Sequence, residues 1–104
     1  MVLKRDVDRR TTCDAARTVD VLAALASPHR LAIVRLLETR DHDVGQLAAR
    51  LGISVANTSH HLSRLRRAGL VTSRRDGTRM INRLASHEVA ALAGAACAVL
   101  RSKP

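Results

Sequence analysis

The stretch that decides the fold is Ile53-Ser-Val-Ala-Asn-Thr-Ser-His-His-Leu-Ser-Arg-Leu-Arg-Arg-Ala-Gly-Leu70. Ser54 suits an N-cap, because its hydroxyl accepts a bond from a free amide of the first turn. Gly69 suits the residue after the last turn, because a left-handed backbone costs glycine nothing. One helix of about four turns lies between them. Placed at about 100° per residue, Val55, Thr58, Leu62 and Leu65 form one apolar stripe. The opposite side carries Ala56, Asn57, His60, Ser63, Arg64 and Arg67. That side is small and polar at its start and cationic at its end. It suits a DNA major groove, where short side chains approach base edges and arginines further along reach phosphate.

Working back, Asp43-Val-Gly-Gln-Leu-Ala-Ala-Arg-Leu-Gly-Ile53 reads as a short helix and a turn. Asp43 and Gln46 stand at the spacing of a capping box. Leu47, Ala48 and Leu51 mark its buried side, and Gly52 ends it. Two short helices joined by a glycine-containing turn are the helix-turn-helix pattern, which an αα-hairpin in an ordinary bundle shares. Residues 40–43 read as a polar connection. Before it, Ser27 and Pro28 start a helix running to about Thr39, with Leu31, Ile33, Val34 and Leu37 facing inward. Residues 13–26 read as the first helix, with Ala16, Val19, Leu22, Ala23 and Ala26 on one side.

Working forward, the period changes after Gly69. Residues 70–75 and 78–84 read as two strands around Asp76-Gly77, a strong hairpin signal. A basic helix followed directly by such a hairpin is a winged helix-turn-helix. Arg74, Arg75 and Arg79 flank the turn, with Thr78 beside them, and suit phosphate or the minor groove. Ser86 precedes a last helix, roughly residues 87–101, in which Val89, Leu92, Ala93, Ala96, Val99 and Leu100 are apolar. Its alanine-rich surface suits packing against a partner.

The 104 residues predict one domain over residues 13–101, with a mobile tail over 1–12 and a short tail over 102–104. The class is mainly α (α+β): four helices, a β-hairpin wing and a fifth helix. The chain contains no Phe, Tyr or Trp. That argues against single-strand and RNA modules, which stack bases on aromatic rings. It also leaves a small aliphatic core, which oligomerisation would supplement. The formal net charge is +9, and residues 64–83 hold seven arginines against one acid, Asp76. This concentration suits a polyanion, though a solvated basic face has the same composition. The basic segment has no wide apolar face to insert into a membrane. Cys13 and Cys97 form no CxxC pattern, and no signal peptide or membrane span is evident. A cytoplasmic location with reduced thiols is expected. Ser59-His60-His61 is not a catalytic triad, because adjacent helical residues do not face one another. No catalytic constellation is found elsewhere, so an enzyme is not expected.

The chain resembles the ArsR/SmtB family of winged-helix transcriptional repressors over about residues 22–84. The resemblance rests on Ala24-Leu-Ala-Ser-Pro-His-Arg-Leu-Ala-Ile-Val-Arg-Leu-Leu37 and Gln46-Leu-Ala-Ala-Arg-Leu-Gly-Ile-Ser54. It rests also on Ser59-His-His-Leu-Ser-Arg-Leu-Arg-Arg-Ala-Gly-Leu-Val71, and on Arg74-Arg-Asp-Gly-Thr-Arg79 with Arg83-Leu84. It implies a homodimer closed by the first and last helices, through Val19, Leu22, Leu92, Ala96, Val99 and Leu100. It also implies an inverted-repeat operator in double-stranded DNA and release by an inducer.

The positions that touch bases in this family are Val55, Ala56, Ser59 and His60 here. The first two depart from its polar choice and offer only a thymine methyl contact. Readout then shifts to Asn57, Ser59, His60 and Arg64. The family's Cys-x-Cys sensing positions are Asp43 and Gly45 here. Its zinc positions in the last helix are Ser86, Glu88, Val99 and Ser102. The resemblance therefore supplies no inducer. A transition-metal ion is one class to test, with His87, Glu88, Cys97, His42 and Asp43 as weak candidate ligands. For His42 the plain alternative is a polar loop, and for Cys97 a small buried apolar residue. Control by a partner protein or by thiol oxidation, and a non-specific architectural role on DNA, are the alternative readings.

Overall fold

The computed structural model describes residues 15–101; the expected tails over residues 1–12 and 102–104, and Cys13, lie outside the described residues. Helix α1 spans Ala15–Leu25 and α2 spans Pro28–Thr39. Strand β1, His42–Asp43, leads into α3, Val44–Leu51, and α4, Val55–Arg67. The wing is β2, Val71–Asp76, and β3, Arg79–Leu84, and α5, His87–Arg101, closes the order. This is a winged helix-turn-helix, as the sequence predicts.

Local chemistry sets each boundary. The Ser27 hydroxyl accepts from Arg30 N at 3.3 Å at the start of α2, with Pro28 in the first turn. At α3 both halves of the capping box form: Gln46 N donates to Asp43 Oδ1 (2.7 Å), and Asp43 N donates to Gln46 Oε1 (2.9 Å). The Ser54 hydroxyl accepts from Asn57 N at 3.0 Å and starts α4. Removing one such cap typically costs about 1 kcal/mol. Helix α4 ends with Gly69 at φ 80°, Leu70 N bonded to Leu65 O and Gly69 N bonded to Arg66 O. Those two bonds are the paired closure that a left-handed residue allows.

Residues 42–43 are not only a polar connection. They pair with β3, His42 opposite Asn82 and Asp43 opposite Ile81, and make a three-stranded antiparallel sheet of order β1-β3-β2. The free edge of β3 supplies those bonds, and nothing in the two-residue sequence signals it. The wing turn is also shifted by one residue. Asp76 pairs with Arg79, so Gly77 and Thr78 occupy its centre, with Gly77 at φ 66°.

The core gathers Ala24 of α1, Ile33, Val34 and Leu37 of α2, and Leu47 of α3 with Leu62 and Leu65 of α4. Leu70 and Val71 join from the wing and Val89 and Ala93 from α5. Leu31 and Leu51, read as inward-facing, are only partly buried. Val55 was assigned to the buried stripe of α4 but is 51% exposed. Burial on α4 begins at Thr58, one turn later, because the first turn projects past the core. Thr58 satisfies its hydroxyl on Ser54 O at 2.9 Å. On α1 the core side is Val21, Ala24 and Leu25, while Val19, Leu22 and Ala23 lie on the exposed side.

Candidate nucleic-acid interface

Helix α4 is held on one side by Thr58, Leu62 and Leu65, which leaves its other side open along its length. Ala56, Asn57, Ser59, His60 and Arg67 are all exposed on it. Ala56, Ser59, His60, Ser63 and Arg66 line a shallow concavity of about 470 Å³ along that face. Beside it runs a cleft of about 380 Å³ between α4 and the wing, lined by Ser59, Leu62, Arg66, Ser73, Met80 and Asn82 among others. In the wing, Arg74, Arg75, Thr78 and Arg79 are exposed. Of the sequence-predicted reading residues only Ser59 lines this cleft; Arg74, Arg75 and Arg79 stand elsewhere on the exposed wing.

The cations differ in what holds them. Arg64 gives Nη2 to Asp20 Oδ1 of α1 at 3.0 Å. Arg79 gives Nε to Asp43 Oδ2 at 2.8 Å, which pins β3 to the start of α3. Asp43 thereby caps a helix with one oxygen and holds the wing with the other. The Gln46 amide, then the Arg79 guanidinium, keep its carboxyl below the usual range, outweighing burial. Arg66 differs from both, since it donates to the neutral Ser73 hydroxyl at 3.3 Å. The sequence reading placed Arg66 on neither face of α4. Its spacing from Ser59 and Ser63, seven and three residues, is the signal that puts it on the open side.

Behind α4 lies a titratable cluster that the sequence reading left unused. Arg30 donates Nε to Ala24 O at 2.6 Å, closing the carbonyl end of α1. Its Nη1 lies 3.5 Å from His61 Nδ1, and the His29 and His61 ring centroids are 5.4 Å apart. Desolvation first, then the positive charge of Arg30, holds His61 below the ordinary imidazole range; His29 and His60 add to this.

The metal candidates do not come together. His42 is buried in β1, with Nδ1 on Arg40 O at 2.9 Å, and is no polar loop residue. Asp43 has both oxygens engaged. His87 and Glu88 pair with each other at 3.4 Å on the exposed start of α5. Cys97 is half-buried beside Leu31, Leu36 and Leu51. Among the described residues no three His, Cys, Asp or Glu side chains are placed to hold an ion.

The dimer candidates form a third surface. Val19 and Leu22 on α1, and Val99 and Leu100 on α5, are exposed, Leu100 to 75%. Ala96 is exposed and Leu92 half-buried. Among the described residues no helix is long and apolar enough to cross a membrane.

A model of the arsR family of bacterial regulatory proteins matches residues 27–73. The HTH-type transcriptional regulator Rv0081 of Mycobacterium tuberculosis is 44% identical over 77 residues, 73% of this chain and 68% of its own length. The chain belongs to the ArsR family. It is a DNA-binding transcriptional regulator and not an enzyme. The transcriptional activator HlyU of Vibrio cholerae is 38% identical over 79 residues, 76% of this chain and 73% of its own. The homodimeric winged helix-turn-helix DNA-binding domain of Mb0332 from Mycobacterium bovis superposes with a TM-score of 0.80 at 32% identity. That match covers 90% of this chain and 87% of the other. The residues matched by the ArsR model run from the Ser27 cap through α4 into β2 and include the α4 side of the cleft.

Proposed function

We propose that this ArsR-family chain acts as a cytoplasmic homodimer that binds an inverted-repeat operator and represses transcription by occupying it. The observation that carries this reading is the open polar face of α4 flanked by exposed wing arginines. Asn57, Ser59 and His60 lie toward the N-terminal half of α4, the part of a recognition helix that meets base edges. Ala56 offers a methyl contact, Arg64 and Arg67 stand further along, and Arg74, Arg75, Thr78 and Arg79 meet the backbone from the wing. Val19, Leu22, Leu92, Ala96, Val99 and Leu100 form the dimer contact. Support comes from the exposed valines and leucines of α1 and α5, and from the homodimeric state of the Mb0332 domain. A dimer on two half-sites about one helical turn apart covers enough duplex to exclude other proteins from a promoter.

Release by an inducer requires that it bind the DNA-competent dimer less well than another state. Because the ligand-type side chains among the described residues do not converge, this reading favours an inducer other than a metal held by them. Selection of genomic fragments with the purified protein tests the proposal. One inverted repeat should be preferred over random DNA by about 10³-fold or more, and zinc should leave the complex intact. Equal affinity for all fragments would overturn the operator reading, and release by zinc would overturn the reading of the inducer.

A further inference from the structure

Three residues stand side by side across the sheet: Ser73 of β2 and His42 of β1 are both register partners of Asn82 of β3. Asn82 and His42 are each 1% exposed in an otherwise aliphatic interior. Their bonds run in one direction. Asn82 Nδ2 donates to His42 O (3.1 Å) and Met80 O (3.3 Å). With its amide protons committed to two carbonyls, Asn82 presents Oδ1 as an acceptor. The Ser73 hydroxyl fills it, donating at 2.6 Å. A hydroxyl has one proton, so Ser73 Oγ is left as an acceptor for whatever approaches from α4. Arg66 Nη1 approaches, at 3.3 Å.

We propose that this row aims Arg66 at a backbone phosphate of bound DNA, so that Ser73 and Asn82 are positioning residues for that contact. The inference rests on the DNA-binding reading above and names a contact absent from it. Its physical case is a difference among cations. Arg64 and Arg79 are oriented by carboxylates that also neutralise them. Among the described residues no hydrogen bond or ion pair holds Arg67, Arg74 or Arg75, so each must be ordered when DNA arrives. Arg66 is oriented by a neutral hydroxyl and keeps its whole charge. Guanidinium carries five N–H donors, and one bond to Ser73 leaves the others for a phosphate. Its position selects phosphate over a base. Arg66 lies in the last turn of α4, beside the wing, whereas base edges are met by the first turns of a recognition helix. The cleft between α4 and the wing, lined by both Arg66 and Ser73, is where a sugar-phosphate strand would pass.

Binding to operator and random duplexes is measured at several salt concentrations for wild type, Arg66→Ala, Ser73→Ala, Ser73→Thr and the Arg66→Ala/Ser73→Ala pair, each first checked by thermal melting. Arg66→Ala should weaken both DNAs alike, roughly tenfold, and reduce the salt slope by about 1. Ser73→Ala keeps the charge. It should weaken binding roughly threefold, through lost preorganisation, with the slope unchanged. Ser73→Thr, which retains the hydroxyl, should restore wild-type binding. In the Arg66→Ala background Ser73→Ala should have no further effect, an outcome that a merely structural serine would not produce. Additive losses would overturn the positioning role. A loss from Arg66→Ala confined to operator DNA would overturn the phosphate assignment. Wild-type protein that binds no duplex would overturn the DNA reading itself, and is recognised before any variant is compared.

Discussion

The α4–wing face and the outer sides of α1 and α5 are both exposed, yet they are made of opposite chemistry. The first presents Asn57, Ser59, His60, Arg67, Arg74 and Arg75; the second presents Val19, Leu22, Val99 and Leu100. Exposure alone therefore says little about a partner, and the kind of group exposed says a great deal. Arginines and short polar groups are well hydrated without DNA and gain by releasing its counterions. Valine and leucine gain nothing from water and bury about 25 cal/mol per Å² when a second apolar surface covers them. On the proposed function, the first face exchanges its partner with salt and the second keeps it.

The strongest way to break this comparison is to put a charge on the apolar face. Leu22→Asp alters a side chain 52% exposed, so the protomer should keep its fold. It should sediment as a monomer and lose operator binding by about 10³-fold, to the level of random DNA, because one half-site alone is then engaged. A dimer surviving in the ultracentrifuge would show that the contact lies elsewhere. An intermediate effect is expected on the polar face. His60→Ala should cost about 1–3 kcal/mol on operator DNA and far less on random DNA, measured by titration. Equal losses, or none, would make His60 a surface histidine with no reading role.

The smallest expected effect lies between the two faces, at His61, which touches Arg30 at the end of α1 from the back of α4. Its folded-state pKa is below the unfolded value, so the unfolded chain binds the proton more readily. The His61 contribution is therefore complete above the ordinary imidazole pKa of about 6.5 and is lost as pH falls below it. Urea melts at pH 7.5 and 5.5 should show wild type losing more stability than His61→Gln. The difference should stay under about 1.4 kcal/mol per pH unit, the limit for one proton. Parallel losses in the two proteins would remove His61 from the account.

Much of this was legible in the chain because the relevant signals are local. Ser27-Pro28, Asp43 with Gln46, Ser54 and Gly69 each act within a few residues, through a cap bond or a backbone angle. The open face of α4 follows from helical spacing, and Ala56, Asn57 and His60 are exposed on it; Ser59, exposed beside them, follows only from the resemblance. What the sequence did not disclose involves partners far along the chain. Arg64 reads as a base contact and Arg79 as a phosphate contact, and neither reading shows the carboxylates that hold them, 44 and 36 residues away. His42 read as a polar loop or a weak metal ligand, because nothing nearby indicates that β3 would cover it. Val55 read as core because periodicity gives the side of a helix and not how far the core extends along it.

Local signals in the chain set the caps of α2, α3 and α4, the open side of α4 and the glycine turn of the basic wing. Each rests on interactions over four residues or fewer, or on one repeating angle. Long-range packing set which cations are paired with carboxylates, the double use of Asp43 by a helix and the wing, and the alignment of Ser73, Asn82 and His42 across the three strands. Those outcomes depend on which segments come to lie side by side after the aliphatic core closes, and a register between distant strands leaves no periodic trace in either one.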